Sequence, residues 1–235
     1  MPTSSSYLLT PVVSFTSWLN PQSVLDVGCG YGQWGMLLRQ HIDYPWEIHA
    51  GIPRWNRRID GIEAWEPYRN PLWDFAYDKV VVEEAINFLS AVNSDTYELT
   101  LCVEVLEHMD VRTGRELLDH LKRVSEHVLV STPDRPLLQG ELCGNPYETH
   151  HAWWSWAALK EAGAVGRLPA SGATVPLFSK SPEMLESWQR GIRLRALGPI
   201  VPAPARATAQ RVLHQLGRHP GPPTTGGGPA IERAH

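Results

Sequence analysis

Short apolar runs alternate along the chain with stretches whose apolar residues recur three and four positions apart. Val24, Leu25 and Val27 predict a buried strand over Ser23–Val27. Arg58–Glu63, Lys79–Val82, Leu99–Val103 and Val128–Val130 read as the next four strands, and Ala164–Leu168 with Thr174–Phe178 as a closing pair. Between them the pattern predicts helices over Gln33 to about His41, Asn70–Tyr77, Glu84–Leu89, Arg112–Val124 and Ser155–Ala162. The fourth of these places Leu117, Leu118, Leu121 and Val124 on one face. A short helix over Val12–Leu19 precedes the first strand and stops at Asn20-Pro21. Strand and helix alternate almost throughout, so the expected fold is α/β, a doubly wound and mostly parallel seven-stranded sheet with helices on both faces.

Two stretches break the alternation. Asp43 to Arg58 holds Trp46, Trp55 and two prolines with no clean period. It reads as a loop or small insertion whose tryptophans cover the core rather than stack on a substrate. Beyond Ser181, Pro182–Leu197 is a possible arginine-bearing helix, and from Pro199 the chain is rich in Pro, Ala and Gly. Such a tail buries too little apolar surface to offset its ordering entropy. The expected division is one domain over residues 1–198 and a tail over 199–235, disordered after about residue 200 with Thr208–Leu216 as the candidate exception.

Composition narrows the function. With 235 residues, 43% of them hydrophobic, the chain can make one α/β domain with some decoration. A net charge of -4 and a pI of 6.2 argue against general nucleic-acid binding. Cys29, Cys102 and Cys143 form neither a disulfide framework nor a zinc spacing, and the first two are expected as buried free thiols. Neither a signal peptide nor a membrane span is expected, so the reading is a cytoplasmic protein. Oligomeric state is not legible.

The chemistry begins at Asp26-Val27-Gly28-Cys29-Gly30-Tyr31-Gly32, where the first strand meets the first helix. The glycines allow a sharp turn and leave no side chain between backbone and ligand. Strand, glycine turn and helix N-terminus make a site for a polar or anionic group of a nucleotide-like ligand. In an open α/β sheet the ligand sits outside the carboxyl ends of the strands. Glu63, Glu84 and Cys102–Glu104 end the second, third and fourth strands, so they can share that crevice with Gly28–Gly32. Glu63 can accept two hydrogen bonds from neighbouring ribose hydroxyls.

The spacing Gly-x-Gly-x-Gly after Asp26 differs from the Gly-x-Gly-x-x-Gly of dinucleotide sites. With Gly61-Ile62-Glu63, Cys102-Val103-Glu104-Val105-Leu106-Glu107-His108 and Val130-Ser131-Thr132-Pro133, it resembles the class I S-adenosylmethionine (SAM)-dependent methyltransferases over roughly residues 10 to 180. The resemblance implies a Rossmann-like methyltransferase fold whose last strand is antiparallel, and SAM as the cofactor. It puts Glu84 near the adenine amino group, with Glu83 as the competing candidate and a helix cap as the simpler role of either. It implies that Asp26 acts through the methionine ammonium or the turn backbone, and that the Cys102 carbonyl meets that ammonium. The alternatives are a NAD-dependent oxidoreductase of Rossmann type and a non-catalytic SAM-binding partner protein.

Glu104, Glu107 and His108 stand at i, i+3 and i+4, so a helical turn there would give them one face. With His150 they resemble the metal-binding Glu-x-x-Glu-His and distant His of the small-RNA 2′-O-methyltransferases and the ubiquinone-pathway O-methyltransferases. That resemblance implies Mg²⁺, Mn²⁺ or Zn²⁺ holding acceptor hydroxyls. Without a metal, His108 either packs or, like His150, is a candidate general base, and Glu107 makes a salt bridge or cap. Asn145-Pro146-Tyr147-Glu148 with His150 and Trp154 resembles bacterial methyltransferases of glycan or natural-product synthesis, which implies a small-molecule or sugar acceptor. Trp153, Trp154 and Trp156 could line an acceptor pocket, but the expectation is that at least two are core.

Overall fold

The computed structural model describes residues 3–43, 48–49, 52–53 and 55–196. The Pro/Gly-rich tail, with the candidate ordered stretch at 208–216, and Trp46 lie outside the described residues. The elements in chain order are α1 (Leu9–Leu19), β1 (Ser23–Val27), α2 (Gln33–Ile42), the two-residue strands β2 (Ile48–His49) and β3 (Ile52–Pro53), and β4 (Arg58–Glu63). Then follow α3 (Pro71–Ala76), β5 (Lys79–Val82), α4 (Ala85–Ala91), β6 (Tyr97–Val103), α5 (Val111–Val124) and β7 (Ser125–Pro133). The last are α6 (Trp156–Glu161), β8 (Gly166–Leu168), β9 (Ala173–Ser179) and α7 (Glu183–Ala196). The chain divides into two units, residues 1–186 and 187–235, and the first carries the whole seven-stranded sheet.

The sheet order is β5-β4-β1-β6-β7-β9-β8. β5, β4, β1, β6 and β7 are parallel, and β9 runs antiparallel to β7 and β8. This is the doubly wound, Rossmann-like methyltransferase sheet expected, with its last strand reversed. Strand order turns back at β1, so the crevice between the carboxyl ends of β1, β4 and β6 is the place for a ligand.

The core forms where the pattern put it. Leu117, Leu118, Leu121 and Val124 of α5 are all buried against β6 and β7 neighbours such as Cys102, Val128 and Val130. Full burial of each such side chain contributes ~1.5–3 kcal/mol. Asp110 caps α5 by accepting the Thr113 N–H at 3.0 Å, and Lys122 and Arg123 lie in its last turn. Trp154 is buried in the same cluster, with Trp156 packed against it, while Trp153 is exposed. Trp55 packs edge-on against Phe75, with ring centroids 5.6 Å apart.

β7 begins earlier than Val128. Ser125 and His127 are polar yet pair with Tyr97 and Leu99 of β6. Their side chains are satisfied within the sheet, Ser125 by Thr100 and His127 by Ser179 at 2.9 Å. A polar residue that finds such a partner costs little on burial, so the strand absorbs three residues that read as loop. Cys29 and Cys102 are buried free thiols, and Cys143 is exposed. Among the described residues no helix is long and apolar enough to cross a membrane.

Candidate active site

β1 ends at Val27, and the chain bends through Gly28, Gly30 and Gly32 at φ of 70°, 52° and 91° before α2 opens at Gln33. A side chain at Gly28 is excluded twice, by the left-handed backbone and by Val105, whose Cγ2 would stand 2.5 Å from a Cβ. The bend is fastened to β4. The N–H groups of Gly28 and Cys29 both donate to the Ile62 carbonyl, at 2.9 and 3.0 Å. Gly30 N–H donates to the Glu63 carboxylate at 2.9 Å, and the other Glu63 oxygen accepts from Trp65 N–H at 2.8 Å. Burial pushes the Glu63 carboxyl upward in pKa, and these two donors pull it back down.

Asp26 lies beneath the bend. Tyr77 donates to its Oδ2 at 2.6 Å, and the same phenol oxygen accepts the Gly35 N–H of α2 at 3.0 Å. Asp26 therefore reaches the first turn of α2 through Tyr77. Its other oxygen is buried with no hydrogen-bond partner, and burial pushes its carboxyl up to about 7, opposed by the Tyr77 bond and helped by the Glu63 charge.

A cavity of about 380 Å³ opens in front of this bend. Of the residues singled out in the sequence, Gly28, Gly30, Glu63, Glu84, Glu104 and His108 line it. Asp26, Cys29, Gly32, Cys102, Glu107 and His150 are not among its lining residues. Glu83 and Glu84 both line it, and Glu84 precedes α4 without a side-chain capping bond. Glu84 instead accepts from the Tyr147 hydroxyl at 3.2 Å. Cys102 is fully buried in β6 between β1 and β7.

A glycine bend closed by a strand-end carboxylate, at the switch point of a sheet with one reversed strand next to its edge, narrows the families this chain can join. A family described as "Methyltransferase domain" matches residues 7–189. The chain belongs to that family. Its class is the SAM-dependent class I fold, and an all-parallel dinucleotide sheet would lack the reversed β9. Among solved structures, a Nostoc punctiforme protein assigned provisionally as an O-methyltransferase is 18% identical, with a TM-score of 0.51 over 72% of this chain and 55% of that one. A SAM-dependent methyltransferase from Archaeoglobus fulgidus is 17% identical, with a TM-score of 0.48 over 67% of each chain. An O-methyltransferase family protein from Burkholderia thailandensis is 12% identical, with a TM-score of 0.49 over 74% of this chain and 57% of that one. At these identities the likeness is one of fold, and the methyltransferase described here spans little more than half of the Nostoc and Burkholderia proteins. No curated protein sequence matches it.

The other end of the methyltransferase cavity is built from β6 and the segment after β7. Glu104 has a left-handed backbone, φ 55°, and Val105 is not helical either. The helical turn over Leu106–His108 therefore starts too late to give Glu104 the same face as Glu107 and His108. Its carboxylate turns to the N-terminal segment, accepting from Ser5 N–H at 3.0 Å, Ser5 Oγ at 3.1 Å and Tyr7 Oη at 3.4 Å. Glu107, His108 and His150 do come together, with one potential ligand atom from each within 4.8 Å of the others.

Both imidazoles present Nδ1 to a carbonyl, His108 to Thr149 at 3.3 Å and His150 to Leu137 at 2.9 Å. A carbonyl only accepts, so each Nδ1 carries a proton and the lone pair of a neutral ring lies on Nε2. Burial, then the neighbouring His150, depress the His108 pKa to about 4. Burial raises Glu107 to about 8, and its Oε2 has no hydrogen-bond partner. The loop residues His151 and Ala152 donate their N–H groups to the Glu107 carbonyl at 2.8 and 3.2 Å, which pins the loop to this turn.

Several site residues carry no chemical signal in the sequence. Tyr77 stood only as a helix end, and nothing in the spacing tied it to Asp26. Tyr68 and Glu148 meet at 2.8 Å across the cavity. Only Glu148 had a signal, as part of the Asn145–Glu148 motif.

Proposed function

We propose that the chain binds SAM in this cavity and transfers its methyl group to a hydroxyl of a small molecule or sugar. The observation that carries the reading is Glu63, a buried carboxylate tied to the Gly30 N–H and facing the cavity. It can accept from the ribose hydroxyls while the bare backbone of Gly28–Gly30 meets the methionine end. Glu84, or Glu83 beside it, faces the adenine, and the Cys102 carbonyl and Asp26 support the ammonium end.

The step is a displacement. The acceptor oxygen forms a bond to the methyl carbon as the carbon–sulfur bond breaks, and S-adenosylhomocysteine leaves uncharged. The acceptor proton passes to Nε2 of His108 or His150. His108 is unprotonated at neutral pH because of its burial, and its Nδ1–H bond fixes the ring. Since the sulfonium is already activated, alignment of acceptor and methyl supplies much of the rate.

Glu107, His108 and His150 also fit a divalent ion, Mg²⁺, Mn²⁺ or Zn²⁺. The unpartnered Glu107 Oε2 and two imidazoles oriented through their Nδ1–H bonds are the arrangement such ligands take. A bound ion would supply acidification of the acceptor hydroxyl. Glu104, occupied by Ser5 and Tyr7, is not in this set.

Calorimetry with SAM and with NADH tests the cofactor, and a screen of hydroxylated acceptors tests the transfer. SAM binding without turnover on any acceptor favours the non-catalytic alternative. Activity that survives EDTA and Glu107→Gln leaves the metal-free route.

A further inference from the structure

Two phenol–carboxylate hydrogen bonds cross the cavity in opposite senses. Tyr147, on the segment after β7, donates to Glu84 at the end of β5, at 3.2 Å. Tyr68, just beyond β4, donates to Glu148 on that same segment, at 2.8 Å. Each wall thus gives one phenol and one acid, and all four residues line the cavity. The Trp65 ring backs the crossing, edge-on to Tyr147 with centroids 6.4 Å apart. Tyr147 is 43% exposed, so water could satisfy its hydroxyl and burial does not compel this bond.

The segment is short and hydrogen-bonded within itself. Asn145 caps the turn over Pro146–Glu148 by accepting the Tyr147 N–H at 2.9 Å. Gln139 Nε2 donates to the Glu148 carbonyl at 2.7 Å, and His150 N–H donates to the Gln139 carbonyl at 3.0 Å. His150 follows two residues later, its ring centroid 4.9 Å from that of His108. One hydrogen-bonded segment therefore carries Tyr147 and Glu148 on the cavity wall and, two residues on, His150 against the lining residue His108.

We propose that Tyr147 and Tyr68 are positioning residues that couple occupancy of the strand-tip end of the cavity to the placement of His150. The inference rests on the reading that SAM and S-adenosylhomocysteine occupy this cavity. A ligand N–H arriving at Glu84 meets the carboxylate that holds Tyr147, so it must share that acceptor or displace the phenol. Either event moves the capped turn as a unit, and the unit ends on His150.

The test uses the full chain with ¹⁵N-labelled histidine, titrated with S-adenosylhomocysteine. Affinity is read by calorimetry, and the His150 ring signal, assigned by its loss in His150→Gln, by NMR. In the wild type the His150 signal shifts on saturation. Tyr147→Phe is brought to saturation with S-adenosylhomocysteine, whatever its affinity, yet its His150 signal no longer moves. Tyr68→Phe, cutting the other strap, has the same effect, and because Tyr147 is exposed its variant keeps the fold even where the buried Tyr68 change does not. A full His150 shift in saturated Tyr147→Phe overturns the coupling, as does an unmoved His150 in saturated wild type. Failure of the wild type to bind S-adenosylhomocysteine at all instead overturns the cofactor reading beneath it.

Discussion

The two ends of the cavity are built by different means. At the glycine bend, position comes from the backbone: Gly28 and Cys29 donate to one β4 carbonyl, and Gly30 to the carboxylate that ends that strand. At the far end it comes from side chains. Glu104 is held by Ser5, His108 by a 3.3 Å bond to Thr149, and Glu107 keeps one buried oxygen without a partner. Backbone bonds between neighbouring strands follow from making the sheet at all. Side-chain bonds between distant segments depend on each residue named. A bend of this kind suits a ligand of fixed shape, while the other end depends on the particular side chains that meet there.

Breaking the backbone end is expected to have the largest effect. Gly28→Ala places a Cβ 2.5 Å from Val105 on a backbone at φ 70°, so SAM binding should fall below detection by calorimetry. Adding Val105→Ala removes the contact but not the φ penalty, so the pair should recover only part of the loss. Gly35→Ala drives a Cβ to 2.3 Å from the Tyr77 ring and should cost ~1–3 kcal/mol in a denaturant melt.

The side-chain end should respond in rate instead. His108→Ala is expected to lower turnover by ~10²–10⁴-fold while SAM affinity stays within about two-fold. An equal loss of affinity would mean that the two ends are not separable.

A smaller effect lies in pH. Asp26 has its folded pKa raised to about 7 from an ordinary 3.8. Its contribution to stability is therefore present below the ordinary value and is lost as pH rises through about 7. Melting temperatures of wild type and Asp26→Asn, compared at pH 4 and pH 8, should show the steeper fall in the wild type. Glu104→Gln, which keeps acceptors for Ser5 and Tyr7, should be the mildest change, costing ~0.5–1.5 kcal/mol.

The same contrast governs what could be read from the residues in advance. Ser23–Val27, Arg58–Glu63 and Lys79–Val82 announce themselves as apolar runs between turns, and their boundaries agree with the strands. Glu63 was legible because its position at a strand end fixes where it lies. Ser125–His127 was not, because its polar side chains are matched by Thr100 and Ser179 on other strands. Glu104 was misaligned with Glu107 because one left-handed residue resets the helical phase, and only Gly or Asn would have signalled it. Tyr77 with Asp26, and Tyr68 with Glu148, are 51 and 80 residues apart and share no local pattern. Pairs of that kind become visible only once the sheet has brought their elements together.

The most direct measurement is a calorimetric titration of SAM into the full chain and into Glu63→Ala. Saturable SAM binding is expected for the wild type, with none of NADH, and an affinity at least about ten-fold weaker in the variant, the loss of charge-assisted bonds worth ~1.5–3 kcal/mol. Equal SAM affinity in the two proteins, or NADH binding in place of SAM, would contradict it.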